Sequence, residues 1–173
     1  MTGLSPSSSG GSGGSSVGPK SVQLSPASPD ASGNGYAALI VGSTIRVLVP
    51  AFVKDVVGDW WGIVRIPADY SSAGAIKLSI AANATTGVTT MGVASRVVAN
   101  AAVSDAALPS EADQDVAVPG TAYTRVDATF TLTPTCVAGS DLIYRIRHNG
   151  TAGNDTLAVD TLLMQAVFAY TSG

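Results

Sequence analysis

The residues best suited to chemistry in this chain are a tryptophan pair beside a carboxylate, Asp59-Trp60-Trp61, and a tyrosine nearby, Tyr70. Flat aromatic rings with a polar handle stack on the apolar face of a sugar while neighbouring polar groups take its hydroxyls. Trp60, Trp61 and Tyr70 are therefore candidate glycan contacts. The competing role for the dyad is one tryptophan in the core and its neighbour at an intersubunit contact. A second cluster, Glu111-Ala112-Asp113-Gln114-Asp115, places three acids at alternate positions. On an extended segment they share one side, where hard oxygen ligands suit Ca²⁺. The alternative for Glu111, Asp113 and Asp115 is a solvated acidic loop, and no cofactor is expected.

Other chemistry is poorly provided for. His148 is the only histidine and precedes Asn149-Gly150, a dipeptide that favours a tight hairpin, so it reads as a solvated turn residue. One histidine and one cysteine cannot supply a zinc site of the His/Cys type, and the one Gly-x-Ser-x-Gly match, Gly10 to Gly14, lies in a Ser/Gly tract without the strand-to-helix pattern that a nucleophile elbow needs. Cys136 has no partner for an intrachain disulfide and reads as a small buried filler. A glycosidase would need two carboxylates across a groove, and among twelve acids Glu111 is the only Glu. The chain is not expected to be an enzyme. Arg65, Arg145 and Arg147 sit among apolar residues and suggest ion pairs, with Asp69, Asp155 or Asp160 as candidate partners. The Asn-x-Thr triplets at Asn83, Asn149 and Asn154 are read as turns.

The elements that must carry these residues are strands. From Tyr36 onward the pattern is short, β-branched and punctuated by Gly and Pro, with expected strands at 36–41, 44–49, 59–66, 75–82, 88–98, 123–133, 141–148 and 163–171. Alternation is clearest in Ile45, Val47, Val49 and in Val126, Ala128, Phe130, Leu132. The segment 100–115 is Ala-rich and acidic and suggests a loop or one helical turn. A short helical turn is also expected within 155–164. Eight antiparallel strands with frequent turns define an all-β fold, an antiparallel β-sandwich of the eight-stranded jelly-roll kind.

Residues 1–35 read differently. The run Ser7 to Ser16 is only Ser and Gly, with no apolar side chain to offset the entropy of ordering. Residues 1–35 are expected to form an extended anchoring arm and residues 36–173 one β-sandwich domain. Within the arm, Val22 and Leu24 alternate with polar residues and could add a strand to a neighbour's edge. Deleting the arm is expected to leave a folded domain that no longer binds its partner.

Composition narrows the partners. The 173 residues are 46% hydrophobic and only 12% charged, about half the usual charge content. Much of the surface must then be Ala, Ser, Thr and Gly, which suits packing against copies of the same chain or another protein. A net charge of −3 with nine scattered basic residues gives no footprint for nucleic acid. No apolar run is long enough to span a bilayer and no basic, apolar leader opens the chain, so a soluble cytoplasmic product is expected.

The stretch from Trp61 to Tyr170 resembles a β-sandwich module of tailed-bacteriophage structural proteins. The likeness is carried by Ile66-Pro67-Ala68-Asp69-Tyr70-Ser71-Ser72-Ala73-Gly74, by Pro119-Gly120-Thr121-Ala122-Tyr123 leading into 126–132, by Ala138-Gly139-Ser140-Asp141-Leu142, by Arg145-Ile146-Arg147-His148-Asn149-Gly150 followed by Asp155-Thr156-Leu157-Ala158, and by the closing Val167-Phe168-Ala169-Tyr170. This resemblance implies a homotrimer located in the virion. Its first implied role is a capsid decoration or cement protein bound through its arm to the major capsid protein. The alternative is a tail or fibre component whose sandwich recognises a host glycan.

Overall fold

The segment Asp141–Asn149 shows most directly how this sequence makes a sheet. Leu142, Tyr144, Ile146 and His148 are buried while Asp141, Ile143, Arg145, Arg147 and Asn149 face outward, the period-two pattern of a strand with one covered face. The same logic runs through the computed structural model, which describes residues 17–29, 34–41, 46–99, 102, 106–133 and 135–173. The Ser/Gly run 7–16 and the rest of the segment 1–16 lie outside the described residues, as do 30–33, 42–45, 100, 101, 103–105 and 134.

Eleven strands follow in chain order: β1 Gly18–Gln23, β2 Ser28–Pro29, β3 Gly35–Val41, β4 Arg46–Phe52, β5 Val57–Arg65 and β6 Tyr70–Ala82 come first. They are followed by β7 Val88–Val98, β8 Ala112–Ala117, β9 Val126–Thr131, β10 Asp141–Asn149 and β11 Thr161–Ser172. They form two antiparallel sheets. The first runs β3-β4-β11-β6-β9 with β1 also on β11, and the second runs β2-β5-β10-β7-β8. Among the described residues there is no helix.

Between the sheets lies one core built on Phe52, Ile76, Leu78, Phe130, Tyr144 and Phe168, all essentially buried. Each such side chain contributes about 1.5–3 kcal/mol by leaving water. Close approach at one point dictates a glycine: a Cβ on Gly62 would collide with the Tyr144 hydroxyl, so Gly lets that ring fill the core opposite it. Burial pushes the Tyr144 phenol up to about 12.

All eight expected strands are present, and three more join them. The acidic segment expected to be a loop or helical turn forms edge strand β8, paired from Val88↔Ala117 to Val93↔Ala112. The helical turn expected within 155–164 is absent. Val88 O instead accepts from the Thr156 and Leu157 amides, and β11 begins at Thr161. The third addition is β1. It pairs antiparallel with this chain's own β11, from Gly18↔Ser172 to Gln23↔Val167, and Leu24 just beyond it is only 2% exposed. Val22 packs on the same core. The strand addition expected of Val22 and Leu24 therefore occurs within the chain, because an apolar pair at this spacing has a covered core to enter here. The part of the arm described, 17–29, belongs to the sandwich, and deletion of residues 1–35 would expose the core it covers.

Candidate functional site

The outer face of the second sheet brings together Arg65, Arg96, Arg145 and Arg147 with Asp59, Glu111, Asp113, Asp115 and Asp141. Register alone places Arg147 opposite Asp59 and Gly92, Arg145 opposite Trp61 and Ala94, and Ile143 opposite Ile63 and Arg96. On the next strand Gly92 faces Asp113 and Thr90 faces Asp115. Gly92 and Ala94 keep the middle of β7 low, and a Cβ at Gly92 would collide with the Asp113 carboxylate.

Arg147 organises the centre. Its Nε and Nη2 donate to Oδ1 and Oδ2 of Asp59 at 2.7 and 2.8 Å, a two-point fork, and its Nη1 lies 2.6 Å from Glu111 Oε1. Forked guanidinium–carboxylate contact is both stronger and more directional than a single bond. The bonds to Asp59, aided by the charges of Asp59, Glu111 and Asp113, raise the Arg147 pKa further above its ordinary value. Arg145 donates to Glu111 through Nη2, approaches Asp59 at 3.8 Å through Nη1, and lies over the Trp61 ring with its guanidinium carbon 5.2 Å from the centroid. A cation over an indole face is attracted by the ring quadrupole. At the rims, Arg65 pairs with Asp141 at 3.0 Å and Asn149 donates to Asp113 at 3.2 Å. Asp115 accepts from the Thr90 hydroxyl at 2.9 Å and from the Asn154 amide.

The anticipated aromatic platform divides. Trp60 turns inward, is 7% exposed and donates its indole N–H to Ala51 O at 3.2 Å. Trp61, one residue on, faces outward and is half-buried beneath Arg145. Tyr70 opens β6 in the other sheet and stacks with Phe168, 6.1 Å between centroids. Of the three, Trp61 alone reaches this face. Ile63 beside it is 63% exposed.

The acids do turn to one side, as expected of an extended segment, but they do not converge as a cation site. Glu111 is held by two guanidiniums, and Asp113 and Asp115 accept from amide and hydroxyl donors. Among the described residues no group of three or more His, Cys, Asp or Glu is placed to hold a metal ion. The arginines are ion-paired as expected, with different partners: Asp69 bonds Lys20 at 2.6 Å and the Tyr170 hydroxyl at 3.0 Å, and Asp155 bonds His148.

His148 is the clearest reversal. It is fully buried, its Nε2 lies 2.9 Å from Asp155 Oδ2, and its ring is 6.0 Å from that of Phe52. The signal was available, since His148 continues the inward parity of Leu142, Tyr144 and Ile146. Nor does Asn149-Gly150 close a hairpin, because the following strand, β11, belongs to the opposite sheet. Cys136 is buried as expected, at the wall of a cavity of about 230 Å³ with Tyr70, Gly74, Thr131 and Leu132. A broader groove of about 600 Å³ crosses the outer face of the first sheet over Ser21, Ala75, Lys77, Val167 and Ala169.

No family model matches the chain, and no curated protein matches it in sequence. Its fold is similar to the native structure of a family 35 carbohydrate binding module from Clostridium thermocellum, at 15% identity and a TM-score of 0.52, covering 89% of this chain and 98% of that one. It is also similar to part of Arthrobacter globiformis T6 isomalto-dextranase complexed with panose, at 18% identity and a TM-score of 0.54. That match covers 87% of this chain and 23% of the enzyme. The chain is a jelly-roll β-sandwich. The resemblance to phage structural modules is thereby narrowed to a fold that carbohydrate-binding modules share.

Proposed function

We propose that this chain is a glycan-binding β-sandwich without catalytic activity of its own, and that it binds through the outer face of the second sheet. The observation that carries this reading is Trp61: an outward, half-buried indole with one face under the Arg145 guanidinium, flanked by exposed Ile63 and set within a grid of guanidiniums and carboxylates that offers hydroxyl groups both donors and acceptors. Recognition of sugars needs that combination of a flat apolar surface and fixed polar partners. Likeness of fold to a carbohydrate binding module supports the same reading.

In the setting implied by the sequence resemblance, the chain is a trimeric tail or fibre component of a virion recognising a host glycan. The capsid-decoration role fits less well. It relied on an arm free to cross neighbouring subunits, and the strand-forming part of that arm is occupied by the chain's own β11.

Titration calorimetry against an oligosaccharide panel tests the proposal. Trp61→Ala is expected to weaken binding by about tenfold, near 1.4 kcal/mol, with circular dichroism showing that the variant is folded. A loss produced instead by Lys77→Ala, with Trp61→Ala silent, would move the site to the groove on the first sheet.

A further inference from the structure

Building on the glycan-binding reading, we infer that the ligand is a neutral glycan, and that Glu111 is the residue that excludes acidic ones. The face carries Arg65, Arg96, Arg145 and Arg147 against Asp59, Asp113, Asp115, Asp141 and Glu111, so that cation and anion nearly balance and carboxylates are slightly in excess. Balance alone would not decide the matter; the pairing does. Arg147 spends Nε and Nη2 on Asp59 and Nη1 on Glu111, and Arg145 spends Nη2 on Glu111 and turns its π-face to Trp61. A uronate or sulfate approaching Trp61 could form a forked pair with one of these guanidiniums only by displacing a carboxylate, and would otherwise lie against the charges of Glu111, Asp59 and Asp113.

Neither carboxylate leaves easily. Asp59 is buried beneath Arg147 and held at two points, and Glu111 bridges both arginines while Asp113 adds a further negative charge beside it. Neutral hydroxyls meet no such obstacle. They can accept from outward guanidinium edges and donate to the unused lone pairs of Glu111 and Asp113 while every ion pair stays in place. Selectivity then comes from repulsion built against the wrong ligand as much as from attraction for the right one.

The experiment uses the full chain on dextran and dextran sulfate, and on neutral and uronate- or sulfate-bearing oligosaccharides, at low and moderate salt. The expected result is binding confined to neutral members, with little dependence on salt. Glu111→Gln keeps the shape of the side chain and removes its charge. It should create affinity for the sulfated or uronate members that fades as salt screens it, while neutral binding, which loses one charged acceptor, weakens but stays measurable. Circular dichroism confirms that the variant is folded. A stronger response of the unaltered protein to the acidic members, or a Glu111→Gln variant that still rejects them at low salt, overturns the inference while leaving glycan binding intact. Failure to bind any member of either set overturns both readings.

Discussion

The pair His148 and Asp155 holds together the passage from one sheet to the other. Asp155 Oδ2 accepts the Thr90 amide at 2.8 Å as well as bonding His148 Nε2, with both side chains 1% exposed. Removing the carboxylate leaves a buried amide and a buried ring nitrogen unpaired at once. Asp155→Ala should cost about 3 kcal/mol and lower the melting temperature by on the order of 10 °C in calorimetry. Glycan affinity of the surviving folded fraction should be unchanged, since the outer-face grid does not use Asp155. Residue types told part of this in advance. Trp61 was identifiable as a candidate contact, but adjacent tryptophans on a strand must face opposite ways, and only the register decides which one reaches solvent. The acid cluster was legible as one-sided, whereas its arginine partners lie on a strand more than thirty residues away in sequence, which spacing along the chain cannot reveal.

Among the elements, β1 acts as a strap. Its six residues lie along β11 and are fastened by the Lys20–Asp69 contact, with Tyr170 donating to the same carboxylate. The hydrogen bond from Lys20 holds the Asp69 carboxyl below its usual range, and Asp69 raises the Lys20 ammonium above its own. A lowered acid stabilises above its unfolded pKa and loses that contribution as pH falls through the folded one. A raised amine does the reverse, stabilising below its unfolded pKa. The fastening should therefore be complete between about pH 4 and pH 10 and loosen outside that window. Amide exchange of 18–23 measured at pH 3 and pH 6, corrected for intrinsic rates, should show lower protection at the acid end. Truncation of residues 1–24 should cost more than the surface contact alone, because Leu24 lies in the core; by analogy with large-to-small core changes, about 2–5 kcal/mol is expected in a denaturant titration. Strands with clean alternation or strong β-branching were readable from sequence. Two escaped, β2 because it has two residues and β8 because it is an acidic edge strand whose pattern resembles a loop; β1 was legible as a strand from Val22 and Leu24, but its partner within the same chain was not. That β11 serves β4 at Thr161 and Leu162 and β1 from Val167 onward is a matter of topology, and its register shift between Leu163 and Gln165 falls where one partner gives way to the other.

At the scale of the whole molecule, sparse charge is unevenly spent. The outer face of the second sheet concentrates guanidiniums and carboxylates, while the outer face of the first is floored by Ser21, Ala75, Ala169 and Thr171, with Lys77 near it. Such a surface suits close packing, in keeping with the homotrimer that the sequence resemblance implies. Sedimentation at micromolar concentration is expected to give three chain masses, and a monomer at all concentrations would refute that assembly. Three equivalent sites on one particle would bind a glycan-covered surface far more tightly than one, with no new contact required.

The antiparallel seam between β1 and β11 has a mechanical meaning. Gly18 lies opposite Ser172, so a load applied between residue 17 and residue 173 pulls on adjacent ends and opens the seam one residue pair at a time. Peeling of this kind breaks bonds in succession, whereas shear would load them together. A sandwich held by these two points would yield its strap at low force before the core parts, whereas a load carried through the β10 and β5 face would meet the forked ion pairs in the middle of a sheet.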